Sequence, residues 1–185
     1  MNEQTSTKAL VVSTALKQNS KTLTAATAAS ERLATCGLDV DIVDLATSTL
    51  PQCDGGVCYQ APGVIEMTKR VADATLIVLC FPIYNYQANS ATKNFIEVTN
   101  AGWKDKVVSL IANAGGERSY LAPLSIANAL MVDHRCLIVP HFLYLPPAAY
   151  DESGQLALQG DHRTLLADQL DAACRLSQFA CSAPA

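Results

Sequence analysis

The segment Ala74-Thr75-Leu76-Ile77-Val78-Leu79-Cys80-Phe81 constrains this chain more than any other. It is too short for a stable helix, it lacks the polar alternation of a half-exposed strand, and Pro82 closes it. A strand apolar on both faces has to be covered on both faces, which is the lot of a central strand in a parallel sheet flanked by helices. Ala9-Leu10-Val11-Val12-Ser13, Val107 to Ala112 and Cys136 to Val139 are shorter runs of the same kind. Leu38 to Leu45 alternates Asp with apolar residues, so it reads as a strand with one face nearer solvent.

Between these runs the apolar spacing becomes helical. Ser20 to about Cys36 has Leu23, Ala26 and Leu33 on its face, Asn19-Ser20 as a cap and Gly37 as a stop. Further helices are predicted over Pro62 to Ala72, Ser90 to Thr99, Tyr120 to Val132 and Asp161 to Ala180. Pro140 to Pro147 is expected to be irregular, and Asp151-Glu152-Ser153-Gly154 to be a loop. Strand and helix thus alternate five times over 185 residues, with no repeat and no linker. The expectation is a single α/β domain spanning residues 1–185, a three-layer sandwich. Its five-stranded parallel sheet takes the order 2-1-3-4-5, with helices on both faces. Ligands of such sheets bind at the carboxyl ends of the strands, so function is confined to a few loops.

Composition narrows the class. Half of the residues are apolar and 16% charged, which excludes a disordered chain. A net charge of −4 argues against nucleic acid as a partner and is small for a strongly acidic docking face. No apolar run approaches the roughly 18 residues of a membrane span, and Met1 to Lys8 lacks the apolar core of a signal peptide, so a cytoplasmic protein is expected. Seven cysteines, several in apolar segments, suit reduced thiols better than a disulfide framework.

Three loops carry the candidate chemistry. The first, Ser13 to Thr22, offers hydroxyls, helix N-terminal amides, Lys17 and Lys21 to a phosphate, although the same residues describe an ordinary capped helix start. It lacks G-x-G-x-x-G, which disfavours a dinucleotide site despite Asp44, and it lacks a Walker lysine. A phospho-receiver would need an aspartate where Phe81-Pro82 stands. The second loop, Pro82 to Ser90, holds Tyr84, Asn85, Tyr86 and Asn89, which could grip a flat, polar-rimmed ring or pack on a neighbouring subunit. The third, Asn113-Ala114-Gly115-Gly116, could bring backbone amides close to a ring oxygen or make a left-handed turn.

Together the loops resemble the NADPH-dependent FMN reductase family of the flavodoxin-like superfamily. Pro82 to Glu97 is similar to that family's P-E-Y-N-x-S-x-P-G-x-L-K-N-x-I-D signature, with Pro82, Tyr84, Asn85, Lys93, Asn94, Ile96 and Glu97 in place. Ser13-Thr14 and Ser20-x-Thr22 match its phosphate loop, Asn113 to Gly116 its third loop, and Asp151 to Leu156 its D-x-x-G-x-L turn. Leu16 stands where the family has arginine, Ile83 for glutamate, Tyr86 for a small residue and Asn89-Ser90 for Pro-Gly.

The resemblance implies FMN as cofactor. Ser13, Thr14, Leu16, Asn19, Ser20, Lys21 and Thr22 would lie at its phosphate, Pro82, Ile83, Tyr84, Asn85 and Tyr86 at the ring edge, and Asn113, Ala114, Gly115 and Gly116 beside the ring's polar end. It further implies NAD(P)H as electron donor, a quinone, flavin or similar small acceptor, no membrane partner, and a homodimer or homotetramer. The alternative is a flavodoxin-type electron carrier or redox sensor without NAD(P)H activity. Phe142 to Pro147 is a candidate subunit contact. Cys53 and Cys58 could pair or start a metal site, but two ligands do not make a structural zinc site, and reduced thiols are the plainer reading. His134, His141 and His162 read as structural, and no catalytic side chain or metal ligand is expected.

Overall fold

The computed structural model describes residues 8–157 and 161–182; the polar N-terminus, residues 1–7, lies outside them. Strands β1 (Lys8–Ser13), β2 (Asp39–Asp44), β3 (Leu76–Tyr84) and β5 (Val107–Asn113) run parallel, and the two-residue β4 (Gln87–Ala88) turns back on β3. Short strands β6 (Leu137–Ile138) and β7 (Leu143–Leu145) complete the sheet, both parallel to β5. The spatial order β2-β1-β3-β5-β6 is the expected 2-1-3-4-5 arrangement of parallel positions, with β4 an antiparallel addition. Helices α1 (Lys21–Thr35), α2 (Pro62–Asp73), α3 (Ser90–Val98), α4 (Pro123–His134) and α5 (Asp161–Ser182) cover its faces.

Strand alternation sorts the core into two layers, because successive side chains point to opposite faces. Ala9, Val11, Val78 and Ile111 meet Leu33 of α1 and Leu170 of α5 on one side. On the other, Leu10, Val12, Ile77, Leu79 and Phe81 meet Val71 of α2, Phe95 of α3 and Leu130 of α4. Every residue from Leu76 to Phe81 is fully buried, as its unbroken apolarity requires. No helix among the described residues is long and apolar enough to cross a membrane.

Two element boundaries differ from expectation. Strand three does not stop at Phe81: it runs through Pro82 to Tyr84. The missing proline N–H is tolerated because the chain folds back, and the Pro82 carbonyl accepts from the Asn89 N–H at 3.1 Å. Asn85 (φ 51°) and Tyr86 (φ 63°) form the two-residue turn of this hairpin, the signature of a type I′ turn. The fourth helix starts at Pro123 rather than Tyr120, with proline in its first turn, where no N–H is needed.

The expected fifth strand is cut in two, and part of the stretch expected to be irregular is β-structure. Pro140 and the left-handed His141 (φ 61°) interrupt pairing after Ile138, and the ladder resumes at Leu143. Leu143 and Leu145 are therefore buried against the protein's own core, and Phe142 and Tyr144 pack on it. The apolarity of Phe142 to Pro147 serves this strand rather than an exposed contact patch.

Candidate functional site

A cleft of 1330 Å³ opens at the carboxyl ends of β1, β3 and β5 and continues between α1 and α5. It is built on the N-terminus of α1. Ser20 caps the helix, its Oγ accepting from the Leu23 N–H at 3.1 Å, and Asn19 adopts φ 51° to bring the chain in. The N–H groups of Lys21 and Thr22 find no acceptor among the described residues. Both residues line the cleft with Lys17, Asn19 and Ser20, so unpaired amides, the positive helix end and two lysines face one space.

The strand ends supply the floor. Parallel register sets Ser13 beside Cys80 and Pro82 beside Asn113. Asn113 is 7% exposed, and its Nδ2 has no hydrogen-bond partner; the buried Ser13 hydroxyl is orphaned too. An unpaired buried donor costs about 1–3 kcal/mol, so Asn113 Nδ2 in a cleft wall is a donor held ready for an acceptor. The Asn113 side-chain oxygen accepts from the Tyr150 hydroxyl, which also lies 3.1 Å from the Lys21 main-chain carbonyl. Lys21 Nζ stands 5.0 Å from the centre of the Tyr150 ring, a cation–π contact. Burial, with the Cys80 thiol nearby, pushes the Tyr150 phenol above its ordinary range, so it stays a neutral hydroxyl.

Tyr150 escaped the sequence reading, although it directly precedes the D-x-x-G-x-L turn that was recognised. That turn is tight: Asp151 Oδ1 accepts from the Gln155 N–H at 3.0 Å and the Ser153 hydroxyl at 2.7 Å, which holds its carboxyl below the usual range. Asp151, Ser153, Gly154 and Gln155 close the cleft opposite α1.

The sequence-selected residues divide. Asn19, Ser20, Lys21, Thr22, Pro82, Ile83, Tyr84, Asn113, Ala114 and Gly115 line the cleft together. Ser13, Thr14, Leu16, Asn85, Tyr86 and Gly116 do not line it. Thr14 is fully committed elsewhere: its N–H donates to Cys80 O (2.9 Å), its hydroxyl pairs with that of Thr92 (2.7 Å), and its carbonyl accepts from Asn89 Nδ2 (2.8 Å). It clamps the first loop to α3. Leu16 points to solvent, and Asn85 and Tyr86 are the exposed hairpin tip. Gly115 and Gly116 are not left-handed, and Gly116 O accepts from the Tyr144 hydroxyl, which fastens the third loop to β7.

The second half of the Pro82-to-Glu97 signature is scaffold. Lys93 and Glu97 pair with each other one turn apart on α3. Asn94 reaches across to the cysteine loop, accepting from the Cys53 N–H at 2.8 Å and donating to Pro51 O at 2.9 Å. There, Asp54 Oδ1 accepts from the Gly56 and Cys58 N–H groups (2.9 and 3.1 Å), and these bonds with the Cys58 thiol lower its pKa to about 2. Cys53 and Cys58 are free thiols, and no cluster of three metal-ligating side chains exists among the described residues.

These groups suit an FMN-like ligand. A phosphate would meet the unpaired α1 amides and Lys17 or Lys21, and a polar ring edge would meet Asn113 Nδ2, with Pro82, Ile83 and Tyr84 as wall.

Solved structures with the same architecture include oxidoreductases and a flavodoxin by name. The chain is similar to the flavoenzyme NAD(P)H:acceptor oxidoreductase FerB of Paracoccus denitrificans at 19% identity and TM-score 0.73, covering 94% of this chain and 98% of that one. It is similar to the NADH:FMN oxidoreductase EMOB in its apo form, at 16% identity and TM-score 0.70, covering 93% and 90%. RosB, solved with 8-demethyl-8-formylriboflavin-5'-phosphate, gives 15% identity and TM-score 0.77 over 97% and 82%. At these identities the likeness establishes the flavodoxin-like fold. The family described as NADPH-dependent FMN reductase matches residues 7–150, which takes in all three loops and the hairpin, and the chain belongs to that family.

Proposed function

We propose that the protein is an FMN-dependent NAD(P)H oxidoreductase that passes reducing equivalents to a quinone, a free flavin or a similar small acceptor. The observation that carries this reading is the convergence of unpaired donors on one cleft: the Lys21 and Thr22 amides at one end and Asn113 Nδ2 at the other. Bound FMN would supply the hydride chemistry, leaving the protein to bind, orient and exclude water.

Each residue set has its task. The α1 N-terminus with Lys17 and Lys21 holds the phosphate dianion. Asn113 Nδ2 donates to an acceptor on the ring, its carboxamide fixed by the Tyr150 hydroxyl so that the amino group faces the cleft. Pro82, Ile83 and Tyr84 wall one side of the cleft, and the exposed Tyr84 ring offers flat area there for a nicotinamide or quinone. No titratable side chain of the cleft is needed as an acid or base for hydride transfer. Exposed Tyr120, Leu121 and Leu124, close together in sequence, offer apolar area to a second copy, which supports the homodimer or homotetramer as part of the reading.

The test is spectroscopic. The purified chain is titrated with FMN, and NADPH or NADH is then added anaerobically. Flavin bands that bleach within seconds support the reading, and the subsequent addition of a quinone restores them. Bound flavin that bleaches with dithionite but with neither nucleotide makes the protein an electron carrier or sensor. Absence of binding removes the site assignment.

A further inference from the structure

Four side chains form a square where α1 and α5 pack. Arg32 and Cys36 stand four residues apart at the end of α1, and Asp171 and Cys174 three apart on α5, so each pair shares one helix face. Arg32 forks onto Asp171 with contacts of 3.0, 2.7 and 2.6 Å. Cys36 donates its thiol to the same carboxylate at 3.7 Å and packs against the core layer that holds Cys174, one turn on from Asp171. The ion pair fixes the register of the two helices and, with it, the approach of two sulfurs that lie 138 positions apart in sequence (174 − 36).

The two thiols differ in access, as an attacking and a resolving cysteine should. Cys36 caps α1 and is partly exposed, whereas Cys174 is buried at 5%. The other described cysteines are differently placed. Cys80 is wholly buried, Cys136 donates to Trp103 O at 3.2 Å, Cys53 faces the Tyr59 hydroxyl at 3.6 Å, and Cys58 is bound to Asp54.

We propose that Cys36 and Cys174 are a hydroperoxide-sensitive thiol pair that closes to a disulfide between α1 and α5. The Cys36 sulfur attacks the peroxide oxygen, breaking the O–O bond and releasing water from hydrogen peroxide or an alcohol from an organic hydroperoxide. The Cys174 sulfur then attacks the sulfenic sulfur of Cys36, forming the S–S bond as the S–O bond breaks and the hydroxyl leaves as water with the Cys174 proton. Two thiols thereby lose two electrons and two protons to one peroxide. The bond would staple the far end of the cleft wall, since α1 and α5 are its two sides.

The full chain is reduced, exposed to hydrogen peroxide, alkylated and cut with trypsin and Asp-N together. Those cleavages leave Cys36 alone on Leu33–Leu38 and Cys174 alone on Asp171–Arg175. The expected product is these two peptides joined, two hydrogens lighter than their sum. Recovery of both as alkylated monomers after peroxide has been consumed, or of Cys53 joined to Cys58 in their place, overturns the proposal. A second readout is thermal. Oxidation should raise the melting midpoint of the wild type by about 5–10 °C, because the closed loop is long, and a reductant should reverse it. Cys36→Ser should melt like the reduced wild type and gain nothing from peroxide; an equal gain in that variant overturns the assignment.

Discussion

Asn113 has one amide oxygen and one amide nitrogen, and the protein satisfies only the first. Which end faces the cleft is decided by Tyr150, whose single hydroxyl proton goes to the Asn113 side-chain oxygen, with the Lys21 carbonyl 3.1 Å away on the other side. Tyr150→Phe removes that choice and leaves the carboxamide free to turn its acceptor inward. FMN affinity should fall about 10-fold, as one hydrogen bond of about 1–1.5 kcal/mol is lost, and fluorescence titration checks it. An unchanged dissociation constant would show that Asn113 is not oriented this way. The Arg32–Asp171 pair yields a second expectation. Asp171 is held below the usual carboxylate range, so it adds stability above about pH 4, and that contribution disappears as acid protonates it through its folded-state pKa. The stability gap between the wild type and Asp171→Asn should therefore be present at pH 7 and shrink below about pH 4 in urea melts followed across pH. A constant gap would mean that the carboxylate's charge contributes nothing. At this scale the sequence showed residue types but not commitments. Thr14 and Ser20 both look like phosphate hydroxyls in the first loop. Only the fold reveals that one is tied to Thr92 and the other to the Leu23 amide. Tyr150 was invisible because its partners lie 37 and 129 positions away.

The hairpin Pro82 to Ala88 shows how an element sets the terms for its residues. A type I′ turn asks for Asn followed by Gly, and the chain offers Asn85 followed by Tyr86, a bulky residue held at φ 63°. Left-handed backbone costs a non-glycine residue about 1 kcal/mol. Tyr86→Gly should accordingly raise the thermal midpoint by about 2–4 °C. The same change should leave KM for NAD(P)H and quinone unaltered, because Tyr86 is not among the residues that line the cleft. A several-fold rise in KM would instead give the exposed ring a part in binding them. A different constraint operates behind α3. Gly102 lies so close to α2 that an added Cβ would meet Thr68 O at 2.8 Å and Val71 Cγ1 at 2.9 Å. Gly102→Ala should cost about 1–3 kcal/mol and lower the midpoint by roughly 3–10 °C, read by calorimetry. Helices were legible where caps are local: Ser20 starts α1 and Gly37, at φ 81°, stops it. The hairpin was not, because Pro82 is a breaker in sequence and becomes tolerable only when the Asn89 N–H returns to donate to its carbonyl. Likewise β7 hides behind three prolines, and its burial depends on β5.

For the whole molecule, strand order and the ligand edge followed from alternation and from the apolarity of Leu76 to Phe81, since few sheets can bury both faces of such a strand. Ligand linkage belongs to this scale as well. If FMN occupies the cleft only in the folded chain, FMN at 100 times its dissociation constant should add about 2.7 kcal/mol and raise the midpoint by about 5–10 °C, while riboflavin, lacking phosphate, should add less. Equal shifts from the two would take the phosphate away from the α1 N-terminus.

The division of the last parallel position into β6 and β7 has a consequence for the protein in crowded solution. An uninterrupted outer strand would present a ladder of bare peptide groups onto which a second chain could stack. Here the margin is broken after two residues by Pro140 and the reversed backbone of His141, so there is no continuous template. The opposite margin, β2, carries Asp39 and Asp44, whose like charges repel a copy of itself, while Arg70 of α2 forks onto Asp41 and occupies the Ile42 carbonyl. Both open sides of the sheet are thus protected against fibrous growth, one by geometry and the other by charge. A variant with Val in place of Pro140 and Gly in place of His141 restores a flat margin, and it should nucleate aggregates at concentrations that leave the natural chain clear.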